Sequence, residues 1–222
     1  MKKHLLILCF ILTLSYITAC APVQEVPTTA PKPEAKIDAK QPAEEAAAAI
    51  EKQTISAEVK ELLDKSKTRV KSIYYKYRGP ETGTNFHEFY IKGDKIKYNP
   101  YLEIKSLDQP SSYDTIFIDK MAKTAQSYCV AAYCLYKGKK ADLNYNDAYI
   151  STVFDWVDGL TKAEKTGEEV IDNRNTWKIE TNKGILWVDT FYGIPLKIDS
   201  SGKTYRFQQI SVNSVQDSDV MP

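Results

Sequence analysis

Four cysteines and two histidines carry most of the metal-binding and nucleophilic capacity of this 222-residue chain. Cys129 and Cys134 flank Val130-Ala131-Ala132-Tyr133. Zinc takes four ligands, and beyond residue 20 only these two thiols and one distant histidine are on offer. A Cys-x-x-Cys redox pair needs a closer spacing. His87 lies in Phe86-His87-Glu88-Phe89, which reads as strand, and no Gly-x-Ser-x-Gly nucleophile turn occurs anywhere. A hydrogen-bonding strand histidine is therefore a better reading than a catalytic base. Asp142, Asn144 and Asn146 match the first three ligand spacings of a calcium loop, but Asp147 replaces its turn glycine and Val153 its closing glutamate. That segment reads as an Asn-rich helix start. Gly202-Lys203-Thr204 invites a phosphate, yet Lys197 stands where the first loop glycine belongs, which leaves a hairpin turn. Carboxylates are plentiful with no pair singled out. The expectation is no catalytic residue, no metal and no cofactor.

With 30 basic and 29 acidic residues the net charge is +1, so no global charge marks a nucleic-acid partner. A mean hydropathy of −0.41 excludes a polytopic membrane protein. The totals conceal three unlike parts. Lys2 and Lys3 precede the apolar run Leu5–Leu14, and Ile17-Thr18-Ala19-Cys20 places small residues before a cysteine. That is the layout of a secretory signal peptide over residues 1–19. It resembles the lipobox of bacterial-type lipoproteins, which implies that Cys20 is lipidated and becomes the new N-terminus. The apolar stretch is also shorter than the ~20 residues a spanning helix needs. The expected location is the cell envelope, anchored on the extracytoplasmic side of a membrane. In such a compartment Cys129 and Cys134 read as a disulfide across a hairpin, a short loop giving only ~2 kcal/mol.

Residues 20–53 follow as a tether. Positions 21–53 hold no aromatic residue and no glycine but five of the ten prolines, a composition that cannot bury a core. The remaining stretch, 54–222, holds all nine glycines and all three tryptophans. Its first element is an amphipathic helix with Val59, Leu62, Leu63 and Ser66 on one face and Ser56 as N-cap. Alternating segments bounded by turn residues predict strands at Val70–Arg78, Phe86–Lys92, Lys95–Tyr98, Tyr113–Asp119, Thr124–Cys129 and Tyr133–Lys137. After residue 160 they predict Lys162–Val170, Thr176–Thr181, Ile185–Asp189, Leu196–Ser200 and Tyr205–Asn213. The spacing of Tyr149, Val153, Trp156, Val157 and Leu160 predicts one helix between the two blocks, with Asp147 as N-cap and Gly159 as terminator.

The expected fold class is α+β: a single curved antiparallel sheet of about ten strands, with an N-terminal helix and a lid helix. Alternate positions on its inner side would line an apolar hollow or fill an ordinary core. Tyr75, Tyr77, Phe89, Ile91, Ile96, Trp177, Ile179 and Trp187 are the candidates, together with Ile73.

Ile185-Leu186-Trp187-Val188-Asp189 followed by Gly193-Ile194-Pro195-Leu196-Lys197-Ile198 resembles a passage of the LolA/LolB-like lipoprotein-carrier superfamily. Tyr205–Asn213 is similar to its closing strand, and the opening helix with Val70–Lys97 to its start. The resemblance implies a half-open β-barrel whose hollow holds acyl chains of lipids or lipoproteins, with no enzymatic activity. It makes the Tyr149–Leu160 helix a lid and turns Trp156 toward the hollow. A membrane-anchored member is closer to the LolB-type acceptor than to the soluble LolA-type carrier. The alternative is an anchored sensor or protein-interaction module with a filled core and no lipid ligand.

Overall fold

The computed structural model describes residues 54–100, 104–105, 112–131 and 137–222. The leader, Cys20, the tether and Cys134 lie outside the described residues. Helix α1 (Ala57–Arg69) begins where the Ser56 hydroxyl accepts the Val59 amide, and it buries Val59, Leu62, Leu63 and Ser66, the face the spacing predicts. Strands β1 (Ser72–Arg78), β2 (His87–Lys92) and β3 (Lys95–Asn99) follow, then the short β4 (Ile104–Lys105) and β5 (Ser112–Tyr113). Next come β6 (Thr115–Asp119), β7 (Thr124–Tyr128) and β8 (Lys140–Leu143), helices α2 (Tyr145–Ala148) and α3 (Val153–Val157), and strand β9 (Ala163–Ile171). The chain closes with β10 (Arg174–Thr181), β11 (Gly184–Asp189), β12 (Pro195–Ser200) and β13 (Lys203–Val212).

Eleven strands make one antiparallel sheet in the order β8-β7-β6-β3-β2-β1-β13-β12-β11-β10-β9, and β4 pairs β5 separately. The first and last strands of the sheet do not meet, so the barrel is half-open, as the resemblance implies. Most neighbours in the sheet are consecutive strands, but β1 pairs with the last strand, β13, which places the first and last strands of the domain at the centre of the sheet. Asn213 fixes that junction: its side-chain oxygen accepts the Lys71 amide at 2.7 Å while its amide group donates to the Arg69 carbonyl at 2.9 Å.

One face of the sheet packs against the helices. Ile73, Tyr75, Phe89, Ile96, Ile179 and Phe207 join Leu62, Val153 and Val157 in a single apolar core. The passage that carries the family resemblance has a mechanical role here. Buried Asp189 accepts the amides of Phe191 and Tyr192 and pairs with Arg174 at 3.2 Å, which builds the turn after β11. Gly193 in that turn has φ +70, and a Cβ there would sit 2.2 Å from the Leu62 carbonyl of α1. Only glycine lets the helix lie that close.

Two expectations fail. The hairpin partner of β7 is β8, with Ala125 opposite Leu143, rather than Tyr133–Lys137, most of which lies outside the described residues. The charged, half-exposed pattern of Lys140–Leu143 hides it as a strand, because an edge strand needs few apolar residues. The helix expected over Tyr149–Leu160 is only the five residues of α3, preceded by the separate α2. Asn144, not Asp147, caps α2, and the chain is extended at Tyr149 before Thr152 opens α3. Asn and Thr side chains offer the backbone local bonds that compete with helix continuation. Gly159 does follow the end of α3, with φ +63.

Candidate functional site

The helix-covered face of the sheet is aromatic at its centre. Tyr75 stacks on Phe89 with centroids 5.3 Å apart and meets the edge of Phe207 at the same distance. Phe89 stacks in turn on Tyr98, and Tyr77 packs on both Phe89 and Phe207. Burial drives the Tyr75 and Tyr77 phenols well above their ordinary value, so they stay neutral. Tyr75, Tyr77, Phe89, Ile91, Ile96 and Ile179 are each no more than 2 % exposed. These six therefore converge on one face, as their alternation predicts. Trp177 packs against the edge of the same cluster, half-buried, with the Lys165 ammonium 3.8 Å above its ring.

Trp187 does not join them. Its strand neighbours Leu186 and Val188 belong to the core, so Trp187 points to the opposite face of β11. There its indole N–H donates to Glu169 at 2.6 Å and Lys197 covers its ring at 3.8 Å. In this strand apolar residues run on both faces, which removes the alternation that would have told the two sides apart.

Over the cluster lies the segment carrying α2 and α3. Trp156 on α3 packs half-buried against the core and 4.8 Å from Tyr205. The helix itself is five residues long and is held down by one carboxylate. Asp155 accepts hydrogen bonds from the Tyr149 hydroxyl at 2.6 Å, the Thr152 amide and hydroxyl at 2.7 Å each, and the Lys120 ammonium at 2.9 Å. Burial pushes its pKa up, but the bonds from Thr152, Tyr149 and Lys120 outweigh that and hold it below the ordinary carboxylate value. Lys183 adds a bond to the Asp155 carbonyl at 2.7 Å, Lys67 pairs with Asp158 at 3.3 Å, and Tyr98 donates to the Ala148 carbonyl at 2.9 Å. Four separate parts of the domain thus clasp the segment with polar contacts. Composition gives no hint of Lys120 or Lys183; the Thr152-x-x-Asp155 spacing, a capping-box signature, could have flagged Asp155.

Three buried polar atoms in and around this segment are poorly satisfied. The Trp156 indole nitrogen and His87 Nδ1 are buried with no hydrogen-bond partner, and the Tyr75 hydroxyl faces the Val153 amide without a bond of full geometry. Each such atom costs about 1–3 kcal/mol in a protein interior. His87 stacks on Tyr98 at 6.0 Å, and burial lowers its pKa, so it is neutral. A catalytic histidine is oriented by an acceptor at the second ring nitrogen, and the bare Nδ1 has none.

The remaining candidates are quickly placed. A cleft of 210 Å³ between the end of α1 and α3 is floored by Val70, Ile91, Phe154 and Val157 and edged by Lys67, Lys71 and Asp158. Asn144 accepts the Asn146 amide as a helix cap, and Asp142 takes a bond from Gln126, so the calcium spacing is spent on local structure. No group of three or more metal-ligating side chains occurs among the described residues. Cys129 is buried at the end of β7, where backbone bonds to Lys139 and Gly138 bring the two arms of the 130–137 loop together.

No family model and no curated protein matches the chain. Solved structures similar to it include three that cover 72–75 % of its length. The lipoprotein LppX of Mycobacterium tuberculosis is 14 % identical, with 96 % of that chain covered and a TM-score of 0.43. A DUF1329 family protein from Desulfovibrio piger is 11 % identical, with 100 % covered and a TM-score of 0.27. An outer membrane lipoprotein-sorting protein domain from Vibrio parahaemolyticus is 9 % identical, with 94 % covered and a TM-score of 0.27. Function is therefore read from the geometry above.

Proposed function

We propose that the chain is a membrane-anchored, extracytoplasmic binding module that takes an acyl chain of a lipid or lipoprotein between its half-barrel and α3, without catalysis. Cys20 carries the lipid anchor once residues 1–19 are removed, residues 20–53 are the tether, and residues 54–222 are the binding domain. Cys129 and Cys134 close a disulfide that pins the loop after β7, a reading supported by the converging backbone bonds at its base.

The observation that carries this reading is the nature of the cover. A five-residue helix contributes little apolar area, and its hold on the domain is a set of hydrogen bonds centred on Asp155. Polar bonds exchange with water at small net cost, about 0.5–1.5 kcal/mol each, so such a cover can lift without unfolding the sheet. Beneath it lie aromatic rings, and the cover itself carries the under-satisfied Trp156 nitrogen, a donor suited to a carboxylate or ester oxygen. An acyl chain entering there gains about 0.8 kcal/mol per buried methylene. In the closed form the hollow is occupied by the protein's own rings, which must shift to admit a ligand. The near-complete burial of Tyr75, Phe89 and Phe207 is the specific observation that favours the second reading, an anchored interaction or sensor module with a filled core.

Titration with a fluorescent long-chain fatty acid separates the two. Saturable binding that is displaced by unlabelled fatty acid, with quenching of Trp156, supports the acyl-binding module. Absence of binding, with Trp156 emission unchanged, supports the filled core.

A further inference from the structure

The turns at one end of the sheet form a continuous rim. Lys120 at the β6–β7 turn donates its amide to Asp94 of the β2–β3 turn at 2.9 Å. Gly93 of that turn lines the 210 Å³ cleft together with Lys67 and Lys71 from the end of α1. Arg69 next to them stacks on Phe191 of the β11–β12 turn at 4.7 Å and donates to its carbonyl. Among the described residues five large apolar side chains are exposed, and three of them, Met121, Val170 and Phe191, stand at this end. Met121 is 80 % exposed and Phe191 60 %, each at or beside the tip of a tight turn. Between those tips the run Lys65-Ser66-Lys67-Thr68-Arg69-Val70-Lys71 supplies four cations in seven residues. Lys67 alone pairs with a carboxylate; Lys65 and Arg69 reach only backbone carbonyls.

Protruding apolar tips with cations beside them are the complement of an anionic lipid surface, in which the tips enter the acyl boundary and the cations meet the headgroups. We propose that this rim docks the domain on an anionic bilayer, with Phe191 and Met121 inserting and Lys67, Arg69 and Lys71 lying on the headgroups. Helix α1, 13 residues and ~20 Å long, ends at this rim with Arg69. Docked this way, the apolar cleft beside α3 faces the bilayer, the source of the ligand in the function proposed above. The docking itself does not depend on that ligand.

The test uses the chain from residue 20 onward with Cys20→Ser, which removes the acyl group, and sedimentation with phosphatidylcholine vesicles with and without phosphatidylglycerol. Binding is expected to the phosphatidylglycerol vesicles and to fall steeply with salt. Each of Lys71→Glu and Arg69→Glu should weaken it about fivefold or more, and Phe191→Ser with Met121→Ser should weaken it further. Lys203→Glu, on an exposed turn at the opposite end of the sheet, should match Lys71→Glu in fold and leave binding unchanged. Equal binding to both vesicle types, or equal losses from Lys203→Glu and Lys71→Glu, would overturn the docking rim. Failure of fatty-acid binding with vesicle binding intact would instead count against the acyl-binding reading alone.

Discussion

Asp155 is the residue on which the cover of the domain turns, because four donors meet its one carboxylate. Asp155→Asn removes the charge that Lys120 needs and replaces an acceptor with a donor facing Tyr149 and Thr152. We expect a loss of about 2 kcal/mol in chemical denaturation. The pH dependence separates this group from His87. Asp155 has a lowered folded value, so its stabilisation is complete above about pH 4 and is lost as pH falls through that value. His87 is also lowered, by burial, so protonation opposes folding and stability starts to decline once pH drops below about 6.5. Denaturation midpoints across pH should show both limbs; His87→Gln should flatten the upper one and Asp155→Asn the lower. Trp187 makes a different prediction. It sits on the outer face, so Trp187→Phe should cost about 1 kcal/mol through the lost Glu169 bond and leave fatty-acid affinity unchanged. An affinity loss matching that of Trp156→Phe would place it at the site after all.

At the scale of elements, what the sequence made legible follows from where burial is one-sided. Helix α1 shows its cap and its buried stripe plainly because one face meets the sheet and the other meets water. Strands β1, β2 and β3 alternate for the same reason, and they bring Ile73, Tyr75, Tyr77, Phe89, Ile91 and Ile96 to the core face. Strand β11 misled because core residues and an indole hydrogen-bonded to Glu169 run consecutively, so no period of two survives. The cover was misread as one helix because apolar spacing outlasts the helix that would explain it. Its Asp155 clasp depends on Lys120 and Lys183, which only the fold brings near. The packing of α1 on the β11–β12 turn carries its own prediction. Gly193→Ala puts a side chain at positive φ against the Leu62 carbonyl and should cost about 1–3 kcal/mol, read as a lowered thermal midpoint. An unchanged midpoint would mean that the helix does not depend on this close approach.

For the whole molecule, a sheet of eleven strands that never closes leaves a face which something must cover, and the chain covers it with one firm helix and one short, polar-clasped segment. That asymmetry is the physical reason to read the domain as a vessel with a lid rather than as a sealed core. In the proposed function that lid opens beside the basic rim. Native mass spectrometry of the Cys20→Ser chain, purified from cells without detergent exchange, addresses the central claim most directly. The account predicts a population carrying one bound lipid or fatty acid, released when Asp155→Asn loosens the lid. A single bare-protein mass, unchanged after incubation with excess fatty acid, would contradict it.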